Sequence, residues 1–441
     1  MKKTALALTA LLWLQIHPGS CQADVALSPL RLTLKSAKAM AVENQSAVLI
    51  AQEQANEIGA QERETHSALN PSLFFQSYQV RQTENLKAMG FNFPGLPYVI
   101  GPFDTFDARV YFTQQIFNLA KARAVNAAEY AVKSTKLHAD AIAQQVAGGA
   151  ALAYVEFQRA QKTVAAAQAN HDLSENLLKL AHDQQSSGMA TGVDVVRAES
   201  VNTRNELILR QAKSDAIEAD TRLHRALGIS MDTPLELLDS LSENDGTSPD
   251  LKQSVQTAMD RRPELQALEQ AIEEKEMERK AVEAERYPSL GLVGNFGSSA
   301  VTPSHYDYRT YSYGVQFSMP ILDGGAIHAR EDEAASRKRE TELQLLDTRQ
   351  QVEEDVRLSL TALNTSRDQV KTAEIGLQLA EKLMTQARDR FSHGLADNLE
   401  VVDAEASLAV ARSQKINALA AYKMATINYQ LATGQLDYST P

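Results

Sequence analysis

The chain of 441 residues has one cysteine, Cys21, and one tryptophan, Trp13, and both lie near its start. A lone cysteine excludes an intramolecular disulfide and any cysteine-based metal cluster. Positive charge is in deficit: 44 Lys and Arg stand against 56 Asp and Glu, a formal net charge of −12. That balance argues against nucleic acid as a partner, because phosphate binding calls for clustered Lys and Arg. No run of eighteen apolar residues occurs, so no transmembrane helix is expected. A membrane role would have to come from strands. Proline is missing in a telling way: of 13 prolines, none lies between Pro102 and Pro234, and none between Pro320 and Pro441. Proline removes a donor from a helix and clashes with the preceding turn. Its absence over two such spans permits helices far longer than a globular domain uses. Composition is otherwise that of an ordered chain, 44% hydrophobic and 23% charged, which excludes wholesale disorder.

What is present begins with a secretory signal over residues 1–23. Lys2 and Lys3 form its basic end, Ala5–Leu14 its apolar stretch and His17-Pro18-Gly19 its break. The apolar stretch is too short to span a bilayer. Cys21-Gln22-Ala23 reads as a small-x-small cleavage site with a mature start at Asp24. Lipoprotein processing at Cys21 is the alternative; Gly19 and Ser20 suit it and Pro18 does not.

The rest of the chain repeats itself. GMATGVDVVRAE at 188–199 and GLADNLEVVDAE at 394–405 share six of twelve positions, 206 residues apart. The same spacing pairs Leu173 with Leu379, Leu177 with Leu383, and Gly228 with Gly434. Asn70-Pro71-Ser72-Leu73 matches Tyr287-Pro288-Ser289-Leu290. Such self-similarity defines two units, 24–228 and 251–434, joined by an acidic linker at 229–250 and followed by a tail at 435–441. Each unit orders its elements as helix, strand hairpin, long helix, glycine break, long helix. In unit one a first helix from Thr33 to Ser67 precedes a hairpin at 72–117 and a long helix from Asn118 to Ser187. At 1.5 Å per residue the long helix reaches about 105 Å, with a weak spot at Gly148-Gly149. Unit two has its hairpin at 289–319, a helix from Gly324 to His393 and another over 396–432. Narrow apolar seams along these helices point to coiled-coil-like packing.

The hairpins alternate. Tyr311, Tyr313, Val315, Phe317 and Met319 interleave with Ser312, Gly314, Gln316 and Ser318; Val110, Phe112 and Ile116 interleave with Arg109, Tyr111, Thr113 and Gln115. Leu290, Leu292 and Phe296 share a side, as do Phe74, Tyr78 and Val80. A period of two gives one apolar and one polar face. Runs of about 9–11 residues can cross a bilayer when tilted. Phe91, Phe93, Tyr98, Phe103, Phe106, Tyr306 and Tyr308 crowd the ends, as an interfacial aromatic girdle would. A soluble sheet packed on helices alternates too. In lipid, however, an open sheet is excluded because every backbone group must be paired. Four strands then need partners from other copies: eight strands fill their own interior, and twelve leave room for a lumen.

The duplicated unit, the N-P-S-L and Y-P-S-L strand starts, the P-I-L-D-G-G turn at Pro320–Gly325 and the G-L-A-D-N-L-E-V-V-D-A-E tip together resemble the TolC-type outer-membrane efflux proteins. The resemblance covers essentially the whole chain after the signal. It implies a mainly α fold with a small β part: a long α-helical coiled-coil barrel plus a transmembrane β-barrel of four strands per chain, twelve in a homotrimer. It implies an exit duct in the outer membrane that extends into the periplasm. Such a duct serves tripartite efflux or type I secretion, passing small molecules, drugs among them. Its partners would be outer-membrane lipid, a periplasmic adaptor (membrane fusion) protein and an inner-membrane pump, with no cofactor.

Glycine breaks near 188–192 and 394–398 turn each long helix into the next. Gly188, Gly192, Gly394 and Asn398 tolerate positive φ there. The resemblance makes these turns the periplasmic tips, with Gly188, Met189, Thr191, Gly192, Gly394, Leu395, Ala396 and Asn398 facing the adaptor. Beyond the second tip Glu400 and Asp403 share a helix face at i and i+3. By resemblance they form acidic rings at the periplasmic constriction, with Asp194 and Asp397 adding to them. Their simpler role is charge favourable to a helix N-terminus. One type of family member carries a basic residue within the second tip; here Ala396 occupies the neighbouring region, so the resemblance does not imply a basic latch. No catalytic constellation is present, and the chain reads as a non-enzyme. His171-Asp172 and His182-Asp183 sit about 16 Å apart along a helix, too far to share a metal. If the strands are soluble, the alternative is a secreted coiled-coil structural protein of the cell envelope.

Overall fold

The computed structural model describes residues 29–242, 249–304, 308–393 and 398–438. The signal at 1–23, with Cys21, lies outside them, as do Tyr306 and residues 439–441 of the tail. The first half of the chain runs β1 (Leu30–Leu32), α1 (Leu34–Asn44), α2 (Ser46–Ser67), β2 (Ser72–Asn85), β3 (Val99–Phe117), α3 (Leu119–Ser186) and α4 (Gly192–Leu227). The second runs β4 (Leu235–Leu237), α5 (Leu251–Arg261), α6 (Pro263–Glu283), β5 (Ser289–Ala300), β6 (Tyr308–Ser318), α7 (Ala326–Ser392) and α8 (Asn398–Ala432).

The two proline-free spans hold the long helices. α3 has 68 residues and α7 has 67, each about 100 Å at 1.5 Å per residue. Asn118 starts α3 by accepting a hydrogen bond from the Lys121 amide at 2.9 Å, an N-cap that satisfies an otherwise orphan donor. Gly148 and Gly149 do not interrupt α3. α3 is the spine of the molecule, packing on α1, α2, α4, α6 and α8, while α7 packs on α5, α6 and α8.

The first helix of each unit is broken rather than continuous. Gln45 and Arg262 are extended, with φ/ψ of −71°/125° and −69°/119°. Arg262 precedes Pro263, and the proline ring disfavours helical geometry at the residue before it. At Gln45 the side chain leaves its own helix to donate to the carbonyls of Arg225 and of Ala226, the latter at 2.9 Å. Both carbonyls lie in the last turn of α4, where helical partners run out.

The linker is more than a join. Its β4 pairs parallel with β1. Asp239 accepts a hydrogen bond from the Leu34 amide at 2.6 Å and so caps α1 from a distance in sequence. Tyr154, almost fully buried on α3, donates to the Leu32 carbonyl at 3.0 Å. Leu32, Leu223 and Leu227 pack around it. This belt sits at mid-length on α3. Residues at the start of the tail join the adjoining core, where Leu436 is buried against Ala147, Ala151 and Ile427.

At one end of the long helices β2, β3, β5 and β6 form one antiparallel sheet in that order. At the other end α3 turns into α4, and α7 leads towards α8.

Candidate functional site

Two regions carry chemistry: the sheet and the tips. In the sheet, directly paired residues lie on the same face. One row across all four strands is Phe75, Val110, Phe296 and Tyr311; the next is Leu73, Phe112, Gly294 and Tyr313. Leu292 with Val315 and Leu290 with Phe317 continue this apolar face. The span from Leu290 to Phe296 is about 20 Å at ~3.3 Å per residue. These side chains are bare: Tyr313 is 85% exposed, Leu73 70% and Phe317 66%. A face of this kind standing in water would be a large adhesive patch. No described helix is long and apolar enough to cross a membrane.

The opposite face is polar, and it corrects one expectation. Phe74, Tyr78 and Val80 do share a side, but it is this one. Their row partners are Tyr111, Asp107 and Thr105. Phe74 stacks on Tyr111 with ring centroids 4.8 Å apart. Arg109 lies at the centre of the face. Its guanidinium donates twice to Asp107, at 3.2 and 3.0 Å, to Asn295 Oδ1 at 2.6 Å and to Thr310 Oγ1 at 3.0 Å. Ser299 donates to Asp107 at 2.5 Å. Gly297 lies directly opposite Arg109, and a Cβ there would stand 2.5 Å from the Ala108 carbonyl oxygen. Glycine lets β3 and β5 close up beneath the arginine.

Above the rows common to all four strands, β2 and β3 continue as a two-stranded extension to a loop at 86–98. Phe91 stacks on Phe93 there, and the Lys87 ammonium lies over Tyr98 at 4.8 Å. Both sheet edges, β2 and β6, have no strand partner among the described residues.

At the first tip Gly188 has φ of 74°, as the glycine break implies. Gly192 does not; it is the first residue of α4. The left-handed turn needs one such residue because Thr191 supplies the helix start. Thr191 and Asp194 form a capping box, with Asp194 accepting from the Thr191 amide at 2.9 Å and its hydroxyl at 2.7 Å. The hydroxyl bond, followed by the amide bond, holds the Asp194 carboxyl below the usual carboxylate range. Asp194 also pairs with Arg197 at 3.5 Å. Met189 and Val193 present apolar surface outward, 74% and 67% exposed.

At the second tip Gly394, Leu395, Ala396 and Asp397 lie outside the described residues, and Asn398 opens α8. Glu400 and Asp403 follow on that helix, Glu400 half-buried and Asp403 exposed. Sequence reasoning missed the partner of Glu400. Arg390, in the last turn of α7, approaches it at 3.5 Å. A basic residue in the last helical turn was a legible signal, since it complements the helix dipole there.

A second missed residue is Glu405. It is buried among Val401, Ala404 and Leu408 and accepts a hydrogen bond from Asn205 of α4 at 2.9 Å. Burial pushes its carboxyl up, and the Asn205 bond opposes that shift. Asn205 also reaches the Asn170 carbonyl at 3.4 Å, and Arg412 donates to Asn170 Oδ1 at 2.7 Å. Three helices, α3, α4 and α8, are therefore joined through polar side chains within an apolar seam.

Known proteins share this arrangement. The chain is 23% identical over 292 residues to nodulation protein T of Rhizobium leguminosarum bv. trifolii, covering 64% of this chain and 62% of that one. It is 26% identical over 252 residues to the alkaline protease secretion protein AprF of Pseudomonas aeruginosa, covering 55% and 52%. The matches thus span about half to three-fifths of those relatives. Among solved structures, the CmeC outer membrane channel of Campylobacter jejuni superimposes with a TM-score of 0.80 at 16% identity, over 92% of this chain and 87% of that one. That likeness establishes the fold. Residues 254–435 match the family described as outer membrane efflux protein. The sequence relatives and the solved channel thus point the same way as that family match, which covers the second half of the chain.

Proposed function

We propose that three copies of this chain close their sheets into one twelve-stranded barrel in the outer membrane and continue as a helical duct into the periplasm. The observation that carries this reading is a four-stranded sheet with both edges unpaired among the described residues and one face mainly apolar, joined to helices of 68 and 67 residues. Lipid tolerates a sheet only when its edges are closed, and closure here takes β6 of one copy against β2 of the next. The apolar face then meets lipid and the polar face lines the lumen. Twelve strands leave an open interior, whereas eight would fill theirs with side chains.

The duct is passive and is no enzyme. Its tips, with Met189 and Val193 outermost, meet a periplasmic adaptor, and an inner-membrane pump supplies the energy. Gly394, Leu395, Ala396 and Asn398 belong to the same contact surface. Glu400 and Asp403, repeated three times, form the acidic constriction, with Asp194 and Asp397 near it. Arg390 tempers Glu400, so Asp403 contributes more to cation preference. One relative is named for alkaline protease secretion, which supports a duct that serves small-molecule efflux or protein secretion according to the pump it meets. Lipid at Cys21 would add an anchor but is not needed for the barrel.

Planar-bilayer conductance on detergent-purified protein, with the oligomer mass measured on the same sample, tests this. Three chains per particle and discrete, cation-preferring channels are expected. Asp403→Ala should weaken that preference more than Glu400→Ala. A particle that stays soluble without detergent and does not conduct would leave the envelope structural protein as the better account.

A further inference from the structure

Across the rows shared by all four strands, the polar face carries two charged side chains, Asp107 and Arg109. They are opposite in sign and bonded twice to each other. The remaining groups on that face are Ser72, Gln76, Asn295, Ser299, Thr310, Ser312, Gln316 and their neutral neighbours. Arg109 is held from three strands at once: Asp107 shares its own strand, Asn295 comes from β5 and Thr310 from β6. Gly297 clears its path. Tyr78, Phe74 and Tyr111 flank the pair on the same face. A guanidinium with its donors engaged in this way is fixed in place rather than mobile in solvent.

We infer that the Asp107–Arg109 pair is a charge-neutral collar inside the barrel, and that it makes passage through the barrel indifferent to the sign of the cargo's charge. The inference rests on the barrel reading above. Repeated three times, the collar places three carboxylates and three guanidiniums in one ring whose fields cancel. Charge discrimination by the duct then belongs to the tips, about 100 Å away at the far end of α3. A lumen whose charge is left uncancelled would instead concentrate ions of one sign and slow the other. Arg109 and Asp107 are thus specificity-determining residues, because each cancels the preference that the other alone would impose.

Thiol labelling of the reconstituted protein in liposomes tests the collar. Gln76→Cys faces Arg109 directly on the polar side, and Phe75→Cys is its neighbour on the apolar side. The wild type, whose single cysteine is Cys21, is the background control. The readout is the ratio of labelling rates for a cationic and an anionic methanethiosulfonate reagent, each normalised to a free thiol. With the pair intact, the ratio at Gln76→Cys should lie near one. Asp107→Asn leaves arginines that cannot lose their charge, and the anionic reagent should gain several-fold. The double variant Asp107→Asn with Arg109→Gln removes both charges and should restore the ratio near one. Its isosteric, hydrogen-bonding replacements keep it foldable if the single variant does not assemble. A ratio far from one at Gln76→Cys with the pair intact, or in the double variant, would overturn the collar, as would an unmoved ratio in Asp107→Asn. Labelling of Phe75→Cys as fast as Gln76→Cys would instead overturn the barrel itself.

Discussion

Glu405 shows how a single buried acid can work against its own fold. Its carboxyl sits in an apolar seam and accepts a hydrogen bond from Asn205, and burial raises its proton affinity. The folded state therefore holds a proton at pH values where the unfolded chain has lost it. Stability from this group falls as pH rises from the ordinary carboxylate range through the raised value, and the cost is complete above it. Glu405→Gln keeps an acceptor for Asn205 and has no charge to bury. It should raise the thermal midpoint at pH 7.5, with the gain fading as the pH falls from the raised value into the ordinary carboxylate range and gone below it. Glu405→Ala should instead cost roughly 2 kcal/mol, because it loses the bond and opens a hole. A melting series over pH distinguishes the two. At this scale the sequence was only partly legible. Thr191 and Asp194 stand three apart before an apolar run, a capping box that could have been read directly. Glu405 could not be, since a carboxylate among Val401, Ala404 and Leu408 looks like any acid beside a helical stripe until α4 is seen to cover it.

The long helices, the hairpins and their boundaries follow from proline placement and from periodicity, both of which are local signals. The small sheet of β1 and β4 was not readable, because each strand has three residues and its partner is over two hundred residues away. The two adjacent glycines of α3 divide in a way that sequence alone could not show. A Cβ on Gly148 would stand 3.1 Å from Leu431 Cδ2 of α8, whereas one on Gly149 meets nothing within 4 Å. Gly149→Ala should therefore stabilise the protein by about 0.5–1 kcal/mol through lower backbone entropy in the unfolded chain. Gly148→Leu should cost about 2 kcal/mol by forcing α3 from α8. Chemical denaturation of the two variants side by side checks both signs. The weak spot expected in α3 is thus a close-packing point at one glycine and an unused opportunity at the other.

As a whole, the molecule leaves apolar side chains on its flanks that one chain cannot cover. On α7, Ile375, Leu379 and Leu383 are exposed at 59%, 61% and 46%; on α4, Val196, Leu207 and Ile217 are comparably bare. These positions lie far from the sheet, so lipid does not reach them, and in the proposed trimer neighbouring copies would cover them. Leu379→Asp combined with Leu383→Asp should change the protomer's own stability by less than about 0.5 kcal/mol per site. The same change should weaken the trimer markedly, since each buried leucine contributes ~1.5–3 kcal/mol. Analytical ultracentrifugation in detergent would show the loss of the three-chain species, and an unaltered trimer would place the interface elsewhere.

In such a ring the edges of β2 and β6 are completed only by other copies, so the unit on which selection acts is not the single chain. A copy able to present both edges but blocked in its lumen would enter rings with normal copies and spoil each one it joins. Its allele would be dominant. A copy unable to offer an edge would be left out of every ring, and its allele would be recessive.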